Sequence, residues 1–547
     1  MHNMVMLSLI KRFDKWLDTH ILILILLAIV ILLRIPNLFE PNWYGDEAIY
    51  LTIGNALKNG GKLYQNIIDH KTPIIYYLAM VSNHRIFRLL NIFWMLVATV
   101  AFHHLAKKII KPYLFVLLSS VFFILATTLP LLEGNIPNGE LFVMGFILAG
   151  GYLLTETNLF KAIFAAKIST DDGKIKLTKK DLGLLFTAGV LFGLGILTKV
   201  PGLFDALAFF TPAWFLLTNN FSFNSLKLKT WLKFAPKIIL HNLVLALGII
   251  FSIVASIGYF FWRGSIHEYL QFGLLYNFRY ASAWGLPFSN QILTFFFTLP
   301  GKMVIMGLIV ILLMLLKKAL SIKFQFVATW TLFAIFGSLL SNRPYPHYFL
   351  QVMPPLALLI GLTLADIYSL LTKSKKISQV KKLTPVAIST LIIALFVTSL
   401  MLLKVGGYPT ISYYQNFLLM ISGKMTTQEY RQQFNVLTSD NYKASAIINR
   451  SGAKQIFIWG TNPMLYSLSN TYPTGRFTVS FHIKDFKAYQ ETFADIQKQQ
   501  PIFIITMKDE QTELPGLNEY LDKYYAPNRN FTYFTLWERF TTTKADN

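Results

Sequence analysis

The stretch that decides the fold is Ile21-Leu22-Ile23-Leu24-Ile25-Leu26-Leu27-Ala28-Ile29-Val30-Ile31-Leu32-Leu33, closed by Arg34 and Pro36. It is uncharged and apolar on every face, so it is neither an amphipathic helix nor a half-buried strand. A helix needs roughly 20 apolar residues to cross a bilayer. With its flanks the run covers 19–35 and reads as a first span. Comparable runs follow at 88–105, 113–131, 141–157, 182–198, 202–218, 238–261, 302–316, 324–340, 350–371 and 385–403. The expected fold is therefore mainly α: a polytopic membrane protein of about eleven transmembrane helices.

Composition agrees. Of 547 residues, 54% are apolar and only 14% charged, against about a quarter charged in soluble domains. An ordinary cytosolic enzyme, a disordered chain and a disulfide-stapled secreted module are excluded. With no cysteine, thiol catalysis, disulfides and Cys-ligated metals are excluded too. The formal charge of +23 raises the question of nucleic acid, but the placement of the charge answers it. Lys and Arg gather before the first span (Lys11, Arg12, Lys15). They gather again after the second (Lys107, Lys108, Lys111), fourth (Lys161, Lys167, Lys174, Lys176, Lys179, Lys180) and sixth (Lys227, Lys229, Lys233, Lys237). The eighth (Lys317, Lys318, Lys323) and tenth (Lys373, Lys375, Lys376, Lys381, Lys382) close the series. Every second gap is basic, as for an N-inside bundle whose positive loops stay cytoplasmic. The first run is flanked as a retained anchor, with no cleavable leader evident. No nucleic-acid partner is expected.

An odd number of spans places the C-terminus outside. Residues 1–403 form the expected membrane domain, and 404–547 a small extracytoplasmic α/β domain. In the latter Ile456–Trp459 and Ile502–Thr506 read as buried strands, 485–498 as a helix, and 404–450 as partly helical.

Chemistry concentrates at the outer ends of the spans. The first outer loop reads Trp43-Tyr44-Gly45-Asp46-Glu47-Ala48-Ile49-Tyr50, then Gly60-Gly61-Lys62-Leu63-Tyr64, then Asp69-His70-Lys71-Thr72-Pro73. Segments 47–58 and 74–83 read as short helices along the interface. Asp46 fits either a helix N-cap or a functional carboxylate. Asp69, His70 and Lys71 join a carboxylate, an imidazole and an ammonium, and such a lysine can hold a phosphate as a point charge. Lys199 is either a snorkelling lysine or a second cation for that phosphate. Glu133, Asn135, Asn138 and Glu140 lie at the same level, as do Arg263, His267, Glu268, Arg279 and Tyr280, and the run Arg343-Pro344-Tyr345-Pro346-His347-Tyr348. Such a ring of charge at one membrane face suits a substrate with a phosphate head and a lipid tail. His103 and His104 sit at the cytoplasmic end, Gly193-Leu194-Gly195 reads as close helix packing, and no nucleotide or hydrolase motif appears.

These motifs, with Asn138-Gly139-Glu140-Leu141-Phe142, Gly193-Leu194-Gly195-Ile196-Leu197-Thr198-Lys199 and Pro346-His347-Tyr348-Phe349-Leu350-Gln351 with Pro354-Pro355-Leu356, resemble in order and spacing the GT-C-type glycosyltransferases. That superfamily includes bacterial lipid A aminoarabinose transferases and protein O-mannosyltransferases. The resemblance covers most of residues 1–400; only the segment from Tyr77 to Arg88 looks shorter than usual.

The resemblance implies an integral membrane enzyme, of the bacterial plasma membrane, that moves a sugar from a polyprenyl-monophosphate carrier to an extracytoplasmic lipid, glycan or protein, with inversion. It implies Asp46 as catalytic carboxylate and Glu140 as a second acidic position. Lys71 and Lys199 would contact the carrier phosphate, with His347 and Tyr348 lining the same cavity. Glu47, Asp69, His70 and Arg343 are secondary candidates. Asp46 and Glu140, with Glu47 and Asp69, are hard oxygen donors that suit Mg²⁺ or Mn²⁺, whereas two phosphate-facing lysines make an ion dispensable; both alternatives stand. Three other readings fit the pattern: a transporter or flippase of lipid-linked sugars, a glycan polymerase or ligase using a diphosphate carrier, and an inactive scaffold presenting the tail. A transporter would place charge near mid-bilayer and show inverted repeats; here Asp205 is the main ionisable residue inside a span. The glycosyltransferase reading requires Asp46, Lys71 and Lys199 to share one cleft.

Overall fold

Lipid offers no partner to an open backbone N–H or C=O, so apolar runs of this kind fold as helices. The computed structural model describes residues 20–165, 177–220, 225–282, 289–372 and 379–540. Lys11, Arg12, Lys15, Lys167, Lys174, Lys176, Lys373, Lys375 and Lys376, used above for orientation, lie outside the described residues.

Helix occupies each of the eleven stretches expected to span. Among the described residues five are long and apolar enough to cross a membrane alone: His20–Leu38, His84–Ile109, Ala235–Trp262, Pro346–Thr372 and Leu383–Leu402. Gly139–Thr155 with Asn158–Phe164, bent by 85°, and Gln291–Phe297 with Leu299–Leu315, bent by 75°, raise the number to seven if each pair is one span. The first bend has a local cause. Asp181, whose side chain closes a capping box with Thr178, also accepts from the Asn158 backbone N–H at 2.8 Å, which starts the second helix in a new direction. Tyr113–Thr128, Gly202–Leu216 and Ile322–Ser338 are shorter apolar helices. Close helix packing depends on small residues. A Cβ at Gly189 would lie 2.2 Å from the Leu245 carbonyl oxygen, so only glycine allows the approach of Lys179–Ile196 to Ala235–Trp262.

The loop after the first apolar helix carries two helices, Gly45–Lys58 and Ile74–Leu78, at the places where the sequence suggested short interfacial helices. Buried Arg88 anchors the loop. Its guanidinium donates to both Glu47 carboxylate oxygens, at 2.9 and 2.6 Å, and to the carbonyls of Asn37, Glu40 and Pro41 at 2.9 to 3.0 Å. At Gly54 a Cβ would sit 2.3 Å from the Ala79 carbonyl oxygen, so glycine sets the contact between the two loop helices.

Residues 410–540 hold helices Thr410–Ile421, Thr427–Gln432 and Thr438–Ser451, then a five-stranded sheet. The strands are β1 (Gln455–Trp459), β2 (Tyr472–Pro473), β3 (Phe503–Met507), β4 (Tyr525–Asn530) and β5 (Phe534–Arg539), in the order β2-β1-β3-β5-β4. β1 pairs in parallel with β2 and β3; β3–β5 and β5–β4 are antiparallel. The near-continuous apolar β1 and β3 are covered on both faces, as parallel strands require.

This segment packs against the loop that follows the first apolar helix. Ile68 bridges in parallel to Phe477, and its N–H donates to the Arg476 carbonyl at 2.8 Å. One apolar cluster joins Ile49, Tyr50 and Ile68 of the loop to Phe477, Ile483 and Trp459.

Candidate functional site

Two hydrogen bonds to backbone carbonyls bring the candidate lysines together. The Ile74 N–H donates to the Leu197 carbonyl at 3.0 Å, and the Thr72 hydroxyl to the Ile196 carbonyl at 3.2 Å. Lys71-Thr72-Pro73 is thereby tied to the end of helix Lys179–Ile196, just before Lys199. Lys71 is fixed further by its own backbone: its carbonyl accepts from Tyr64 at 2.7 Å, and its N–H donates to the Tyr76 oxygen at 3.1 Å. The resulting cleft is lined by His70, Lys71, Glu140, Lys199, Tyr348 and Gln351 among others.

Lys71 Nζ lies 3.3 Å from Asp46 Oδ2 and 3.6 Å from Asp69 Oδ2. Asp46 is not a helix cap. Tyr44 occupies the N-cap position, and the Asp46 carboxylate in the first turn accepts from Tyr50 at 3.2 Å and faces Lys71. Its side chain is 28% exposed, whereas that of Asp69 is 1% exposed, so Asp46 is the carboxylate open to an incoming group. Lys199 does not snorkel to water: it pairs with buried Glu140, and its ammonium stands 4.1 Å over the Tyr348 ring.

Around this pair of cations the aromatic residues are arranged in a layer. The Tyr280 ring stacks on His70 at 4.2 Å, its hydroxyl is 3.3 Å from that of Tyr348, and the Arg343 guanidinium lies 3.9 Å over its face. His347 is not among the residues that line the cleft. Its Nδ1 is 2.5 Å from Glu133 Oε2, and that oxygen also accepts from Tyr44 at 2.6 Å. Glu47 points away from the cleft, in its bidentate pair with Arg88. Inside the bundle Asp205 accepts from Trp330 at 2.7 Å and from the Gln351 amide at 2.5 Å.

Burial alone would favour the neutral form of each group, and the neighbouring charges oppose it. Burial raises the Asp46 carboxyl, but Lys71, His347 and Lys199 outweigh it and hold it below its ordinary range. Asp69 is held well below its range against burial by Lys71 and His70. Lys71 is raised well above the usual lysine value, because Asp46 and Asp69 outweigh the burial that would lower it. Burial lowers both His70 and His482, the latter to about 3, with Asp69 in partial opposition.

Asp46 and Glu140, the oxygens considered for Mg²⁺ or Mn²⁺, are each engaged with a lysine, a poor donor set for a cation. Among the described residues one cluster of His, Asp and Glu has its ligand atoms close enough for a metal: Asp69, His70 and His482, all buried. His482 comes from the C-terminal segment. Nothing in Ser480-Phe481-His482-Ile483 marks it by pattern, and only its fixed place beside the Ile68–Phe477 bridge brings it to the site.

No protein-family model and no curated protein matches the sequence. Similarity lies in the fold. The structure of ArnT from Cupriavidus metallidurans bound to undecaprenyl phosphate superposes with a TM-score of 0.52, at 13% identity, over 95% of this chain and 98% of that one. Two structures of the Archaeoglobus fulgidus oligosaccharyltransferase match more loosely. One, tethered to an acceptor peptide containing the NVT sequon, has a TM-score of 0.45 at 14% identity over 94% of this chain and 73% of that one. The other, AglB with an inhibitory peptide and a dolichol-phosphate, has a TM-score of 0.43 at 13% identity, again over 94% and 73%. The chain shares the fold of ArnT, the GT-C fold. It is an integral membrane protein.

Proposed function

We propose that the chain is a membrane glycosyltransferase that takes a hexosyl or pentosyl unit from a polyprenyl-monophosphate carrier and transfers it, with inversion, to an extracytoplasmic lipid, glycan or protein. The observation that supports the reading is that Lys71 and Lys199 line one cleft and that Asp46, though not among its lining residues, pairs with Lys71. Eleven spans, an inside N-terminus, a membrane domain at 1–403 and an extracytoplasmic domain at 404–547 belong to the same proposal.

Each residue has a task. The ammonium of Lys71, which has three donors, pairs by charge with Asp46 and Asp69 and can turn a donor to a phosphate oxygen. Lys199 supplies a second positive charge in a site of low dielectric, where fixed charges act strongly on developing charge. Asp46, kept ionised, accepts the proton of the acceptor hydroxyl or amine as it attacks the anomeric carbon. The new bond to the acceptor forms as the carbon–oxygen bond to phosphate breaks. The phosphate leaves with the electron pair, and a single displacement inverts the centre. Glu140 fixes Lys199, and Tyr348 and Tyr280 wall the cleft.

The concentration of charge at the outer ends of the helices favours this reading over a transporter. Mass spectrometry of lipids, envelope glycans and secreted proteins from cells with and without the gene tests it. The expected result is one acceptor class that loses one sugar. Unchanged acceptors, with a lipid-linked sugar trapped on the inner leaflet, would favour the flippase instead.

A further inference from the structure

Helix Thr410–Ile421 follows the apolar helix Leu383–Leu402 after only residues 403–409, and it is pinned beside the end of another apolar helix, His20–Leu38. The Tyr414 hydroxyl donates to the Leu33 carbonyl at 2.9 Å. The Tyr413 hydroxyl donates to Asn37 Oδ1 at 2.9 Å and also meets the Glu40 carboxylate. The Phe417 ring packs on Phe39 at 5.3 Å, and just upstream the Tyr408 N–H donates to the Leu131 carbonyl at 3.2 Å. Another face of this helix is apolar and open. Ile411 is 74% exposed, Leu418 58% and Ile421 56%. Their spacing of i, i+7 and i+10 puts them on one face, whereas Ser412 lies about a third of a turn round the axis from Leu418.

Three large apolar side chains in one open stripe call for a covering, and three observations identify it as lipid. The first is continuity. Leu32, Ile35 and Phe39, at the end of the helix to which Thr410–Ile421 is pinned, are exposed apolar residues too, so the stripe adjoins surface that an integral membrane protein shows to the bilayer. The second is the aromatic setting. The rings of Trp43 and Tyr408 lie 5.4 Å apart and those of Tyr413 and Tyr414 5.0 Å apart, and such half-polar rings gather at head-group level. The third is charge. From 403 to 428 the chain carries Lys404 and Lys424, both exposed, and no acidic residue. Lysines on either side of an apolar stripe can lay their stems along it and reach lipid phosphates.

We infer that helix Thr410–Ile421 lies in the head-group layer of the bilayer, with Ile411, Leu418 and Ile421 in contact with acyl chains and Lys404 and Lys424 at lipid phosphates. A helix held this way sinks its apolar face about 5–10 Å into the boundary between head groups and chains. It anchors the C-terminal segment at a fixed height. It also steadies the approach to the site, because Glu40, which Tyr413 meets, accepts from Trp43 Nε1 at 2.9 Å, and Trp43 opens the run that leads to Asp46.

The chain has no cysteine, so a single introduced thiol reports a single position. Full-length I411C, L418C, S412C and Q499C, each labelled with bimane, are placed in nanodiscs of phosphatidylcholine and phosphatidylglycerol. Gln499 is exposed at the end of helix Tyr489–Gln499 and serves as the aqueous reference. A nitroxide carried on the lipid near its head group should quench the labels at 411 and 418 at least about twofold more than those at 412 and 499, and iodide in the water should give the reverse order. If L418C does not elute as the unmodified chain does, I421C takes its place. Lipid quenching at 411 and 418 no stronger than at 499 would overturn the inference. So would labels at 411 and 418 that are shielded from both quenchers, the result expected if a second copy of the chain covered the face. Neither readout depends on sugar transfer, so failure here leaves the proposed function standing.

Discussion

Asp46→Asn separates the catalytic reading from a purely structural one. Asparagine keeps the shape and one acceptor oxygen for the Tyr50 hydroxyl, now 3.2 Å away, but loses the charge and the basicity. Loss of a positioned general base slows reactions by roughly 10²–10⁴-fold, which is about 2.7–5.5 kcal/mol on the barrier at 1.36 kcal/mol per decade. Stability should change far less. Lys71 keeps Asp69 at 3.6 Å, and the Asp46 side chain is partly open to solvent, so the lost pair is worth on the order of 1 kcal/mol. Donor affinity should not fall, because the phosphate then meets one carboxylate fewer. The assay is initial-rate transfer by purified protein in nanodiscs, using the donor and acceptor identified by mass spectrometry, with melting measured in parallel. The expected signature is a kcat reduced by two to four decades, a donor KM equal to or below wild type, and a melting temperature within a few degrees. A kcat within about threefold of wild type would refute the base assignment. A raised donor KM with unchanged kcat would make Asp46 a binding residue.

Lys199→Met should raise the donor KM and also lower stability by about 3–5 kcal/mol, because buried Glu140 is left unpaired. The double variant Lys199→Met/Glu140→Gln should recover the melting temperature without recovering transfer, which the same two assays resolve. Glu47→Gln should cost about 3–5 kcal/mol in denaturant unfolding, since Arg88 keeps its carbonyl partners but loses a buried charge, while the folded fraction transfers sugar far better than Asp46→Asn. Because the Asp46 carboxyl is held below its ordinary range, its ionised form persists above about pH 4 and is lost as pH falls through the lowered value. The kcat/KM profile should therefore show no acid limb from this group between about pH 5 and 9; a limb near neutrality that disappears in Asp46→Asn would contradict that.

The apolar helices were legible in the chain because bilayer insertion is a local rule: the run at 21–33 must be helical whatever it packs against. The loop helix at 47–58 and the strands at 456–459 and 502–506 were readable for a similar reason, their own pattern. Sequence also placed Asp46, Lys71, Glu140 and Lys199 at one membrane level. It could not separate Asp46 as a cap from Asp46 as a free carboxylate, because that depends on where the helix starts, and Tyr44 takes the cap position. It grouped Glu47 with the site as a neighbour of Asp46, and His347 through the family resemblance. Their buried partners, Arg88 and Glu133, turn Glu47 away from the cleft and hold His347 toward Tyr44. His482 had no local signal at all. Its place beside Asp69 and His70 comes from the docking of the tail through the Ile68–Phe477 bridge. Span, charge and helix are properties of neighbouring residues. Which carboxylate meets which cation across hundreds of residues is set by the packed fold, which alone fixes distances in three dimensions.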